Sequence, residues 1–140
     1  MPRRSGPGRR KGDAARRHAE CICRILMEAR PAGLHTPQLL AACELSRCQA
    51  EAGLAMLREI ITEMNWPPLI WTRVDGYQFT VDGDELERYE VAWVRVKVTE
   101  VRRFITATLA PNARLDPTDK RVRHIVTHLA SVEATLDLIA

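Results

Sequence analysis

The chain has 140 residues, with 21 Lys and Arg, 18 Asp and Glu and a formal net charge of +3, a size that buries one core and excludes two full domains. It holds no apolar run of the roughly eighteen residues a membrane span needs, and its N-terminus, MPRRSGPGRRKGDAARR, has no apolar segment of signal-peptide kind; a soluble, cytoplasmic protein with no membrane partner is expected. Cys21, Cys23, Cys43 and Cys48 stand at spacings that match no zinc knuckle or finger, and disulfides are not expected in such a setting.

Charge is spread unevenly. Residues 1–17 hold seven of the 21 basic groups, Arg3, Arg4, Arg9, Arg10, Lys11, Arg16 and Arg17, against Asp13 alone, which leaves fourteen basic and seventeen acidic groups for the rest. The reading is a disordered basic arm over residues 1–13 on a mildly acidic body. Arg9, Arg10, Arg16 and Arg17 are candidates for phosphate contact, whose contribution to affinity falls with salt. A solubilising tail is the simpler alternative.

From Asp13, the residues Ala15, Ala19, Ile22, Leu26 and Ala29 recur at helical spacing, and Pro31 and Gly33 end that first helix. Thr36 is read as the cap of a short second helix, Pro37 to about Cys43, which buries Leu39 or Leu40 and Ala41. Ser46 is read as the cap of a third, running to about Met64, with Ala50, Leu54, Leu57, Ile61 and Met64 inward and Arg47, Gln49, Glu51, Ala55, Arg58 and Thr62 outward. Gly53 interrupts this helix at a propensity cost of about 1 kcal/mol. It is expected to admit a close neighbour, for which Ala41 and Ala42 are the suitable partners.

Two strand-like runs, Leu69 to Val74 and Tyr77 to Val81, flank Asp75-Gly76, a pair that favours a two-residue hairpin turn. That turn would set Val74 opposite Tyr77, Thr72 opposite Phe79 and Ile70 opposite Val81, with Trp71 and Arg73 on the other side. Thr36 to Leu40, Leu45-Ser46, Leu54, Leu57 and VDGYQF together resemble a winged helix-turn-helix domain, here residues 14–82. The whole layout, including EARPAGL, WPPLIW, DGYQFT and RRFITATLAP, is similar to small actinobacterial RacP-like proteins, a resemblance that implies DNA binding without a defined target.

Residues 83–140 read as a helical hairpin. Val91, Val94, Val98, Val101 and Ile105 follow alternating spacings of three and four up to Pro111, and Leu86, Tyr89, Trp93, Val96 and Phe104 form a second apolar set. After Asp116-Pro117 the same spacing returns in Val122, Ile125, Leu129, Val132 and Leu136. These two seams either close on each other within one chain or form a homodimer interface; dimerisation is the preferred expectation, because DNA readers of this size commonly pair two half-sites. The fold class is thus mainly α with a small β-hairpin, a winged helix-turn-helix plus two C-terminal helices.

In the expected function the third helix lies in the major groove of double-stranded DNA, where Arg47 suits guanine, Gln49 adenine and Glu51 cytosine. Arg58, Arg73 and Thr36 suit phosphate. A solvated face explains the same residues more simply, and Glu51, Glu59 and Glu63 leave the helix with little positive potential. His18, His35, His124 and His128 are scattered, and no nucleophile elbow, Walker loop or G-x-G-x-x-G is present, so neither an enzyme nor a cofactor, metal or small-molecule ligand is expected. A dimeric transcriptional regulator of a mobile element or chromosome is the leading reading. The alternatives are an interaction domain that docks a partner through its C-terminal helices, and a metal- or redox-responsive repressor using Cys21, Cys23 and His18, with Cys21 on the polar side beside Arg17 and Arg24.

Overall fold

The computed structural model of the chain describes residues 12–140. It is mainly α-helical with a two-stranded antiparallel hairpin, and it divides into two compact units that meet between Asp82 and Gly83. Residues 1–11 of the predicted arm, with its candidates Arg9 and Arg10, lie outside the described residues, and Asp13, expected in the arm, opens the first helix.

The first unit holds α1 (Asp13–Ala29), α2 (Thr36–Cys43), α3 (Arg47–Ile60), β1 (Leu69–Thr72) and β2 (Gly76–Phe79). Helix α1 presents Ala19, Ile22, Cys23 and Leu26 to the interior, and α3 answers with Ala50, Leu54, Leu57 and Ile60. Leu39 and Phe79 complete this core. Full burial of a Leu or Phe side chain contributes about 1.5–3 kcal/mol, so these residues hold the unit together. The inward face of α3 ends on Ile60; Ile61 is half-buried and Met64 exposed, because the helix stops four residues earlier than its pattern suggests. Gly53 does admit a close neighbour, but the neighbour is α1. A Cβ there would come within 2.9 Å of both His18 Cβ and Ile22 Cδ1, whereas Ala41 and Ala42 face solvent.

The helix starts follow local chemistry. Ser46 caps α3 reciprocally with Gln49: Gln49 N donates to Ser46 Oγ at 3.2 Å and Ser46 N donates to Gln49 Oε1 at 2.9 Å. For α2 the cap falls one residue before the expected Thr36. His35 occupies it, its backbone N–H donating to Gln38 Oε1 at 2.8 Å, and Thr36 is the first helical residue. Between α2 and α3 the chain turns on Glu44, whose φ of 52° is left-handed. A non-glycine side chain there costs about 1–2 kcal/mol, offset in part by the bond from Leu45 N to Leu40 O at 3.1 Å that closes the helix end.

The hairpin differs from its expected register. Leu69 pairs with Phe79, Ile70 with Gln78, Trp71 with Tyr77 and Thr72 with Gly76, around a turn of Arg73, Val74 and Asp75. Thr72 Oγ1 accepts from Asp75 N at 3.0 Å and Gly76 takes a φ of 74°, the pattern of a three-residue turn closed by a left-handed glycine. The decisive contact is distant in sequence. Leu34 exchanges two backbone hydrogen bonds with Tyr77, each 2.8 Å, and His35 Nε2 donates to Val74 O at 2.9 Å. Cβ atoms at Gly33 and Gly76 would fall 2.2 Å from Asp75 O and 2.4 Å from Leu34 O, so this approach needs both glycines.

The second unit holds α4 (Gly83–Phe104), a π-helical turn (Ile105–Leu109), α5 (Ala110–Leu115) and α6 (Lys120–Ile139). Asp84 and Glu85 in the first turn of α4 and Arg102 and Arg103 in its last suit the helix dipole. Pro111 does not end the helical path as expected; it sits in the first turn of α5, where a missing N–H is tolerated. Nor does Asp116-Pro117 open the last helix. The Asp116 carboxylate accepts from Thr118 Oγ1 at 2.7 Å and Thr118 N at 3.1 Å, bonds that hold it below the usual carboxylate range. Asp119 is the cap of α6, accepting from Arg121 N and Val122 N at 2.9 and 3.3 Å. Helices α4 and α6 pack on each other, bridged by Arg102 to Glu133 at 2.7 Å and to Asp137 at 2.9 Å.

Candidate nucleic-acid interface

Helix α3 exposes Arg47, Gln49, Glu51 and Arg58, as its amphipathic pattern requires. Each has local commitments. Arg47 Nε lies 3.3 Å from Glu51 Oε1, one turn along, so the positive charge at the start of the helix is partly answered within it. Both ends of an amide are needed to read adenine in the bidentate manner. Gln49 already spends Oε1 on the Ser46 cap, so its Nε2 is what it can offer a base. Arg58 places its guanidinium 5.8 Å from the centre of the Tyr77 ring, a cation–π contact that ties the exposed face of α3 to the hairpin.

Tyr77 in turn lies 6.5 Å, ring centre to ring centre, from Trp71, which is 46% exposed. Arg58, Tyr77 and Trp71 therefore form a row leading from α3 onto the hairpin, with Arg73 exposed in the turn beyond. Trp71 and Tyr77 are not among the residues expected at the site, and the expected register sets them on opposite sides of the ribbon. Their direct pairing across the strands is what brings them together. Arg16 is engaged elsewhere, 3.4 Å from Glu63 in the turn that follows α3, whereas Arg17 is exposed on α1. Thr36 is half-buried at the start of α2.

The cysteines separate. Cys23 turns into the core, where burial first and Glu20 second push its thiol up; it makes no cluster with Cys21 and His18, whose Cβ lies against Gly53. Among the described residues no three His, Cys, Asp or Glu side chains converge as a metal site. Cys21 instead receives Arg24 Nη2 at 3.7 Å. Burial first, and the neighbouring Cys21 second, push the Cys43 thiol up to about 12.

In the second unit the expected dimer seam is turned largely onto its own chain. Val98 and Val122 are buried, Val91, Val94, Val101, Ile105, Leu129 and Leu136 are half-buried, and only Ile125 and Val132 stay exposed. The second apolar set is the more open: Trp93 is 52% exposed, with Val96 and Phe104 similar. His124 and His128 touch edge to face with ring centres 4.2 Å apart on exposed α6. No helix among the described residues is long and apolar enough to cross a membrane. Comparison of the chain with protein-family models, with curated proteins and with solved structures found no match.

Proposed function

We propose that residues 14–82 form a winged helix-turn-helix and that the protein binds double-stranded DNA with it, as a dimeric transcriptional regulator. In this reading α3 enters the major groove and the hairpin is the wing on the flanking backbone. The observation that carries it is the cation–π contact of Arg58 with Tyr77, which joins the exposed face of α3 to the hairpin as one surface. Arg47 reads a base once it exchanges Glu51 for guanine, and Arg58, Arg73, Arg17 and the N-terminal Arg9 and Arg10 answer phosphates. Two copies pair through the apolar side chains left open on the second unit, Trp93, Val96 and Phe104 on α4 and Ile125 and Val132 on α6.

The test is selection of a preferred duplex from a random library, followed by binding of wild type and Arg47→Ala to that duplex and to random duplex. Arg47→Ala is expected to lose about 1–3 kcal/mol on the selected site and little on random DNA. Equal loss on both would make Arg47 a phosphate contact.

A second reading rests on the balance of charge on α3, where Glu51 and Glu59 offset Arg47 and Arg58. In that case the open apolar face of α4 docks a different protein and DNA is not bound. A protein that remains monomeric in light scattering and ignores duplex DNA at low salt would favour it.

A further inference from the structure

From Lys120 to Val132 the chain carries Lys120, Arg121, Arg123, His124 and His128 and no Asp or Glu. Lys120, His124, Thr127 and Ser131 follow one another at spacings of four, three and four, with Arg123 and His128 flanking them, so these six exposed residues form one strip along α6. Buried Val122 and half-buried Leu129 lie on the opposite side. The acids of α6, Glu133 and Asp137, are off the strip and are taken up by Arg102 of α4. Those just before the helix are engaged too: Asp116 accepts from Thr118, and Asp119 from the N–H groups of Arg121 and Val122. On α3 and α4 a cation is answered one turn away, Arg47 by Glu51 and Lys97 by Glu100. Among the described residues no carboxylate lies within salt-bridge distance of Lys120, Arg121 or Arg123. We propose that this strip of α6 lies along the phosphate backbone of double-stranded DNA, so that the second unit grips the duplex as well as pairing two copies.

This inference rests on the reading of the chain as a duplex binder and adds a surface which that reading does not use. The donors on the strip, an ammonium, a guanidinium and two imidazole rings, are those that meet phosphate oxygens. Lys120, Arg123, His124 and Thr127 line a concavity of about 380 Å³, which offers an anion several donors at once. Thr127 itself donates to Arg123 O at 3.0 Å, so the cations and the rings carry the contact. At about 1.5 Å per residue, Lys120 to His128 covers about 12 Å of helix. A DNA strand carries a phosphate about every 3.4 Å along its axis, so the strip meets more than one. It holds no aromatic or large aliphatic side chain, the anchor that a lipid surface or a protein partner requires. The charge is also placed against the stability of the helix. Lys120 and Arg121 stand in the first turn of α6, where the dipole favours acids, whereas α4 opens on Asp84 and Glu85. Contacts of this kind reach no base edge, so they add affinity and salt dependence without sequence preference.

The experiment uses the full-length protein with random duplex DNA and with the selected duplex. The chain has three lysines, Lys11, Lys97 and Lys120, and Lys97 is paired with Glu100 on α4, so acetylation of amines mapped by peptide mass carries an internal control. Either duplex is expected to slow acetylation of Lys120 several-fold and to leave that of Lys97 unchanged. Lys120→Gln, Arg121→Gln and Arg123→Gln together are expected to lower the slope of log affinity against log salt by about 0.9 for each contact removed, equally on both duplexes and with the circular dichroism spectrum unchanged. Arg88→Gln, Arg95→Gln and Arg103→Gln together take the same charge from α4 and are expected to leave the slope nearly as it was. Binding of DNA with Lys120 acetylated at its free rate, an unchanged slope in the α6 variant, or an equal fall in both variants would overturn the strip and leave the reading of α3 standing. A protein that binds neither duplex at low salt would overturn both.

Discussion

The two units spend similar apolar periodicity in different ways. In the first, three helices and a hairpin surround one interior, and Ile22, Leu26, Leu39, Leu57, Ile70 and Phe79 are almost wholly removed from water. In the second, two long helices and the short segment between them cannot enclose a third layer, and among the described residues only Val98, Leu109 and Val122 there are buried. A helix pair shields a seam; a helix layer closed by a hairpin shields a volume. The same three-four spacing therefore marks a finished core in one region and an incompletely covered surface in the other.

Cutting the chain between the units gives the sharpest division. A chain ending at Asp82 is expected to keep a cooperative thermal transition by circular dichroism, while residues 83–140 alone lose theirs or become strongly concentration-dependent. Two transitions of equal sharpness would break the comparison. The two phenylalanines repeat it at single-residue scale, since Phe79 is 1% exposed and Phe104 is 48% exposed. Phe79→Ala is expected to cost about 3–5 kcal/mol in urea unfolding and Phe104→Ala under about 1 kcal/mol.

Gly53→Ala probes the tightness of the first core. The added methyl would meet His18 and Ile22 at 2.9 Å, so a net loss of about 1–3 kcal/mol is expected despite the better helix propensity of alanine. The smallest effect belongs to the second unit. Arg102→Ala removes the bridges to Glu133 and Asp137, all partly exposed, and is expected to lower the midpoint slightly at low salt and not at all in molar salt.

Much of the first unit was legible because its signals are local. The Ser46 cap, the break after Ala29 and the alternation of inward and outward residues along α3 depend on neighbours within one or two turns. What escaped depends on residues far apart. Asp75-Gly76 favours a two-residue turn when taken alone, but the bridge from Leu34 to Tyr77 stabilises a three-residue one and shifts the whole register. That shift is odd, so it exchanges the two faces of the ribbon and makes Trp71 a neighbour of Tyr77. Of the candidate site, exposure on α3 could be read from periodicity. The engagement of Arg58 with Tyr77 and of Arg16 with Glu63 could not, because one side chain's partner is chosen by tertiary packing; that of Gln49 with Ser46 is local, a Ser-x-x-Gln capping box that the expectation of Gln49 as a base contact passes over. The heptads of α4 and α6 were visible too, but a seam has the same pattern whether its complement lies in the same chain or in another.

The π-helical turn at Ile105–Leu109 acts as a phase shifter. It fits one more residue into a turn than an α-helix does, so everything after it is rotated backwards by about 100° about the helix axis. The apolar stripe that begins on α4 is thereby steered off its line before α5 starts, and Leu115 emerges at the end of that short helix 85% exposed. Deleting a single residue between 105 and 109 would restore the winding, and every side chain from Ala110 to Leu115 would point in a new direction without any change in its own identity.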